Sequence, residues 1–325
     1  MKAKEEKRLI EDLHKGQRRA LARAITILES DAKSDREQAA RILAALESMT
    51  SSQKIGLRLG ITGPPGVGKS TWIEAFGTRV LSKGLRLCVL PVDPTSPVSG
   101  GSLLGDRTRM ENLSRSEDCF IRPSPSGRKA GGVSEGTRDV LRLCELLDFD
   151  ILLVETVGVG QNELDVCSMV DLTILLFPPF GGDELQGLKK GILEIADIYF
   201  VNKFDVAADA AQSMKQDLLA AFSVFPSFLE RGRPEIYLGS ALSGDGVSEV
   251  LDTVLEQTVQ AKSIGTFQQR RRDQELLSFR EGLKTRILRD YFAKNSVQQA
   301  LKKIEKELQS GRLGVGEALK RMLKS

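Results

Sequence analysis

Eight consecutive residues, Gly63-Pro64-Pro65-Gly66-Val67-Gly68-Lys69-Ser70, constrain this chain more than any other stretch. They complete the pattern G-x-x-x-x-G-K-[ST]. An apolar run, Ile55 to Thr62, precedes them and reads as a strand. A helical pattern, Thr71-Trp72-Ile73-Glu74-Ala75-Phe76, follows. Glycines let successive backbone N–H groups turn inward around a phosphate, and the next helix adds its positive dipole end. In this pattern Lys69 reaches the β/γ-phosphates and the Ser70 hydroxyl ligates Mg²⁺. Thr71, at the helix start, joins the phosphate-binding set. A chance glycine-rich turn would lack the strand before it and the helix after it, so the expectation is a nucleoside triphosphate site.

Downstream of the loop, apolar runs alternate with helical periodicity. Strands are expected at 55–62, 85–92, 118–122, 150–155, 171–177, 197–202 and 235–239. Helices are expected at 69–83, 133–147, 184–194, 208–224 and 246–262. Ile151 to Val154 and Leu172 to Phe177 are apolar on both faces, as parallel strands covered by helices are. The rhythm predicts a doubly wound, mostly parallel α/β sheet. Residues 3–48 read as two amphipathic helices separated near Ser30-Asp31-Ala32, with Leu9, Ile10, Leu13, Leu21, Ile25 and Leu28 as the inward stripe of the first. Past Gln268 the strands stop, and 268–293, 296–309 and 314–324 read as helices. The expected domains are an N-terminal helical extension (1–50), a phosphate-loop domain (51–262) and a C-terminal helical dimerisation or partner arm (263–325).

With 325 residues and 41% hydrophobic content the chain can bury a large core. Cys88, Cys119, Cys144 and Cys167 form no C-x-x-C pair. Three of them sit in apolar runs and read as small buried hydrophobes of a reduced compartment. The charged start, MKAKEEKRLIEDL, reads as a helix, with neither signal nor transit peptide evident. No apolar run approaches the roughly 20 residues of a membrane span. The expected location is cytoplasmic, or the mitochondrial matrix in a eukaryote, with no membrane partner. Residues 262–325 hold 16 Lys/Arg against 7 Asp/Glu. These cations alternate with Leu, Ile and Phe and lack aromatic stacking platforms, which points to a protein contact and away from nucleic acid.

Three further segments bear on the base and the chemistry. Asn202-Lys203-Phe204-Asp205 follows a strand, and N-K-x-D places a carboxylate where guanine offers a ring N–H and an amino group together. Adenine leaves that carboxylate unpaired, so the segment selects guanine. Ser240-Ala241-Leu242 follows the next strand, where a backbone N–H can meet the guanine carbonyl. Glu155-Thr156-Val157-Gly158 closes strand 150–155. Glu155 can hold Mg²⁺ directly or through water, and the Gly158 N–H can sense the γ-phosphate. Glu stands there in place of the usual Asp. Val159 follows Gly158, and Gln161 comes three positions on, so the water-orienting glutamine of many GTPases is missing from its slot. Slow unaided hydrolysis raised by a partner is expected. Asp93 and Asp106 can ligate Mg²⁺ or position water, or serve as a turn residue and an N-cap; spacing leaves these even. The loop Pro178 to Glu184, leading to Lys189 and Lys190, suits either a switch or an ordinary connection.

VDPTSP, GDRTRM, ETVGVGQNE, GGDELQGLKKGILEIAD and NKFD together resemble the MeaB/ArgK/MMAA proteins, P-loop GTPases of the metallochaperone-like branch, from about residue 5 to about residue 290. ETVGVGQ and GGDELQG are far more diagnostic than the phosphate loop. The resemblance implies a P-loop GTPase sheet with N-terminal and C-terminal helical extensions, and GTP/GDP with Mg²⁺ as ligands. It implies a chaperone role toward an adenosylcobalamin-dependent acyl-CoA mutase, methylmalonyl-CoA mutase first among them. It also implies that Lys69, Asp93, Asp106 and Glu155 are the catalytic set, with Ser70, Asp93, Asp106 and Glu155 around the metal. Gly63 to Thr71, Gly158, Asn202, Lys203, Asp205 and Ser240 to Leu242 would bind the nucleotide. Loop 178–190, with Asp183 and Lys189, would be a further switch, and the C-terminal helices a homodimer arm. Pro64-Pro65 departs from the smaller first residue often found, and the tail past about residue 295 extends the pattern.

Three other functions compete with this one. A kinase of a periplasmic amino-acid transport protein would need a phosphoryl acceptor and would more naturally use ATP, against N-K-x-D. A metal-insertion GTPase of the hydrogenase or urease type needs cargo ligands, and the chain has one histidine, His14, on a helix surface. A signal-recognition GTPase would carry a Met-rich domain, and six scattered methionines do not make one.

Overall fold

A computed structural model of the chain describes residues 3–30, 32–49, 56–93, 110–122, 124–125, 135–156, 162–180, 193–194, 196–223 and 234–324. Three helices, α1 (Ala3–His14), α2 (Arg18–Leu28) and α3 (Lys33–Met49), lead into β1 (Leu57–Thr62) and α4 (Lys69–Ser82). Then follow β2 (Leu87–Asp93), α5 (Glu111–Arg115), β3 (Cys119–Ile121), β4 (Ser124–Pro125), α6 (Glu135–Leu146), β5 (Ile151–Thr156) and α7 (Asn162–Cys167). Strands β6 (Leu172–Phe177) and β7 (Ile198–Val201), helix α8 (Ala208–Phe222), strand β8 (Glu235–Leu238) and helix α9 (Val247–Ser263) complete the alternation. Helices α10 (Thr266–Phe292), α11 (Asn295–Gln309) and α12 (Val315–Lys324) end the chain.

The strands pair in the order β3-β2-β5-β1-β6-β7-β8, with β4 beside the end of β2, and every pairing is parallel. This is the expected doubly wound sheet. Side-chain alternation explains its two covered faces. Leu59 and Ile61, Val89, Leu153, Ile174, Leu176 and Phe200 share one core with Trp72, Phe76 and Val80 of α4 and Val250 and Leu251 of α9. On the other face, Cys88, Leu90, Leu152 and Val154 pack with α1, α2, α3 and α6, and Leu175, Phe177, Tyr199 and Val201 pack with α8.

Each expected strand is present within two residues at either end. The N-terminal pair of helices is a correction: the first splits into α1 and α2, because the chain turns at Gly16, whose φ of +71° suits glycine. Leu9 and Leu13 therefore lie on α1, and Leu21, Ile25 and Leu28 on α2, all buried. The short elements β4, α5 and α7 are additional to expectation, and the helix expected at 184–194 lies almost wholly outside the described residues.

An aspartate stands one residue ahead of each of three strands. Asp150 accepts the Arg86 N–H at 2.9 Å, Asp171 the Arg58 N–H at 2.7 Å, and Asp197 the Thr173 N–H at 2.8 Å. Each carboxylate thus pairs a backbone donor at the start of a neighbouring strand, where the ladder has not yet begun. Arg58 points to the α6 face of β1 and meets Glu145 in a two-pronged pair, Nε to Oε1 at 2.9 Å and Nη2 to Oε2 at 2.6 Å. Glu74 of α4 caps α5 from outside: its carboxylate accepts the N–H groups of Asn112 (2.8 Å) and Leu113 (3.4 Å), while the N-cap Met110 supplies no side-chain bond.

Cys88, Cys119 and Cys144 are buried as expected. Burial pushes the Cys88 thiol well up, helped by its hydrogen bond with Cys144, and lifts Cys119 to about 12. The Cys88 and Cys119 thiols therefore stay protonated near neutral pH. By its internal contacts the chain divides into residues 1–270 and 271–325. In the second unit, Val297 and Ile304 of α11 and Ala318 of α12 are buried, the Tyr291 hydroxyl donates to the Met322 carbonyl, and Arg321 pairs with Glu307 at 3.1 Å. No helix among the described residues is long and apolar enough to cross a membrane.

Candidate active site at the carboxyl edge of the sheet

Parallel pairing sends every strand's carboxyl end to one edge, and in open α/β sheets ligands bind there, where the strand order reverses about the first strand. Here β1 delivers Gly63, β2 Asp93, β5 Glu155, β7 Asn202 and β8 the turn at Ser240. Gly63 to Gly68 loop back into α4. Gly68 is the N-cap of α4 at φ +98° and offers no side-chain cap, so no side chain competes with a ligand for the first-turn N–H groups. A Cβ on Gly68 would lie 2.7 Å from Asn202 Nδ2. Lys69 Nζ donates to the Gly63 carbonyl at 2.7 Å and the Pro64 carbonyl at 3.2 Å, which draws its ammonium over the loop. Ser70 and Thr71 stand in the first turn of α4.

Glu155 is 4% exposed and sits in register with Ile61 of β1 on one side and Pro91 of β2 on the other. A carboxylate at that depth, beside the phosphate loop, is a strong oxygen donor for a hard cation. Next to it the Thr156 hydroxyl bonds that of Thr62 at 2.9 Å, tying the ends of β5 and β1. Asp93 closes β2 two residues past the Glu155 register point; its side chain lies outside the described residues. Asp106, Gly158, Gln161, Asp183 and Lys189 lie outside them too.

The N-K-x-D segment is bonded directly to the phosphate loop. Asn202, 2% exposed, donates from Nδ2 to the Val67 carbonyl at 2.8 Å and accepts the Ala241 N–H on Oδ1 at 2.8 Å. Lys203 Nζ donates to the Gly66 carbonyl at 3.0 Å, and Lys203 itself holds φ +62°, a strained value for a residue with a Cβ. Ser240 Oγ accepts the Leu242 N–H at 3.2 Å, and the Ser240 N–H goes to the Asp245 carbonyl at 3.1 Å. Asp205 and Leu242 are exposed at the same edge, Leu242 at 82%. One side chain therefore joins three segments that lie far apart in sequence. N-K-x-D is legible in the sequence as a pattern, while the bridging bonds of Asn202 and the Thr62–Thr156 pair carried no local signal.

A family model described as methylmalonyl Co-A mutase-associated GTPase MeaB matches residues 21–296. The chain belongs to the MeaB family. It is a P-loop GTPase that binds GTP and hydrolyses it, as the resemblance in its motifs implied. Among its relatives, the mouse mitochondrial methylmalonic aciduria type A homolog is 40% identical over 326 residues, covering 98% of this chain and 79% of the mouse protein. The GTPase ArgK of Escherichia coli K12 is 38% identical over 285 residues, covering 87% of this chain and 85% of ArgK. The crystal structure of a LAO/AO transport system kinase superposes with a TM-score of 0.75 at 29% identity, covering 100% of this chain and 98% of that one. The family match spans both the phosphate loop and N-K-x-D.

Proposed function

We propose that this MeaB-family GTPase is a chaperone of an adenosylcobalamin-dependent acyl-CoA mutase, methylmalonyl-CoA mutase first among candidates. Its GTP cycle would assist assembly, protection or reactivation of that enzyme. The observation that carries the reading is the family match across residues 21–296, with a relative 40% identical over nearly the whole chain that is named for methylmalonic aciduria.

In the proposed cycle the phosphate-loop amides from Gly63 to Thr71 hold the triphosphate, and Lys69 swings from the Gly63 and Pro64 carbonyls to its β/γ oxygens. Asp205 takes the two donors of guanine, while Asn202 keeps base segment and phosphate loop at fixed spacing. Ser70 and Glu155 are oxygen donors suited to Mg²⁺, and Asp93 and Asp106 are the proposed partners in that set. When bound, Mg²⁺ supplies charge neutralisation at the phosphates. With no glutamine directly after Gly158, orientation of the attacking water is the weak step. A protein partner acting on Gly158 and on Asp183 and Lys189 would raise the rate.

We further propose a homodimer through the C-terminal arm and a cytoplasmic or matrix location. On α10, Leu276, Phe279, Leu283 and Ile287 follow helical spacing on one face and are exposed by 55%, 66%, 46% and 58% in the single chain. That apolar stripe suits a matching helix of a second copy.

Phosphate release from GTP, measured with and without the purified mutase encoded in the same cell, tests the chaperone reading. Co-elution of the two proteins and a rate raised at least about tenfold, a small part of what a partner can add to a GTPase, are expected. No complex and no change in rate would remove it. Labelled phosphate retained on protein, with ATP preferred, would support the transport-kinase reading.

A further inference from the structure

Two helices leave the site edge from its two ends: α4 from the phosphate loop and α9 from the turn after Ala241. They are joined by polar bonds one turn apart. Arg79 Nε donates to Ser248 Oγ at 2.9 Å, and Lys83 Nζ pairs with Asp252 at 2.9 Å. Between them Phe76 and Val80 pack on Val247, Val250 and Leu251, all buried. Arg79 also touches the turn itself. Gly244 has φ +83°, and a Cβ added there would lie 2.8 Å from Arg79 Nη2, so the guanidinium is seated against the Gly244 backbone.

The turn is otherwise held from within: the Gly244 N–H goes to the Ser240 carbonyl at 2.8 Å, and the Ser243 hydroxyl to Asp245 at 2.6 Å. Outward it has the Ala241 N–H on Asn202, which in turn holds Val67. A closed ring results, running Val67, Asn202, Ala241, Gly244 and Ser248, Arg79, then back along α4 to the phosphate loop.

We propose that Arg79 is a positioning residue for guanine recognition. It fixes the 240–246 turn against the phosphate-loop helix and so sets the placement of Ala241 and Asn202 at the base. This rests on the reading of Asn202–Asp205 and Ser240–Leu242 as the base pocket. The contact at Gly244 adds the turn itself to the helix that Arg79 holds through Ser248.

The test uses Arg79→Met, which keeps the apolar stem and removes the donors, and Ser248→Ala, which removes one hydroxyl and keeps the fold should the first variant not express. Calorimetry gives GDP and ADP affinities, and phosphate release gives kcat and KM for GTP. Arg79→Met is expected to lower the guanine-over-adenine preference about tenfold and raise KM, with kcat within twofold; Ser248→Ala moves the same way by less. A lower melting temperature with preference within twofold of the parent in both variants overturns the proposal. Asp205→Asn serves as the control for the pocket. If it fails to shift preference from GDP to xanthosine diphosphate, the base reading itself falls. If it shifts while Arg79→Met does not change preference, only the role of Arg79 falls.

Discussion

Asn202 shows how much one side chain can carry. It is buried, and its amide satisfies a carbonyl from the phosphate loop and an N–H from the 240–246 turn. Gly68 and Asn202 account for each other, since a Cβ at 68 would meet that amide nitrogen, and the left-handed φ of Gly68 already favours glycine. Asn202→Ala is expected to cost about 2 kcal/mol or more, because two buried backbone groups lose their partners. Urea unfolding of the nucleotide-free protein reads this directly. GDP affinity should fall by at least about tenfold as well, as the loop and base segment lose their common spacing. Unchanged stability would mean that water or a backbone shift replaces both bonds.

Elements in this fold are aligned by charged groups placed at their ends. The aspartates ahead of β5, β6 and β7 each take a donor from a neighbouring strand start, and Glu74 caps α5 across the gap from α4. The Arg58–Glu145 pair fixes α6 on β1, with side chains only 14% and 4% exposed. A buried ion pair adds little net stability, yet removing one partner strands the other charge. Glu145→Ala should therefore destabilise by about 3–5 kcal/mol, while Arg58→Met together with Glu145→Leu should recover much of the loss. Denaturation midpoints of the three proteins decide it; equal midpoints for Glu145→Ala and the parent would show Arg58 finding water. Sequence periodicity located β1, β5, β6 and β7 closely because strands covered on both faces must be apolar throughout. It missed β4 and α5, which are too short to show a period, and it ran α1 and α2 together because the apolar stripe continues across Gly16.

At the scale of the molecule, the apolar face of α10 is a feature that the described residues of a single chain leave exposed. Ile287→Asp, a change within the 271–325 unit, is expected to convert the proposed dimer to monomer in light scattering after gel filtration; a parent that already runs as a monomer removes the dimer. Hydrolysis without partner should stay within twofold, since the site residues all precede residue 271. A dimer of unchanged strength in this variant would move the self-association surface elsewhere. The N-terminal helices, in contrast, share one core with β2, β5 and α6, so they cover a sheet face and act as part of the phosphate-loop domain's packing.

The chain's own order of residues determined the phosphate loop, the N-K-x-D segment, the parallel α/β rhythm and the family to which they belong. Each is a local pattern, written by the chemistry of a turn, a strand or a contact with one base edge. Tertiary structure alone decided that Asn202 reaches Val67 and Ala241, that Arg79 seats on Gly244, and that Glu145 answers Arg58. Those pairs are separated by tens to well over a hundred residues, and such contacts exist only once the sheet has set which strand ends are neighbours.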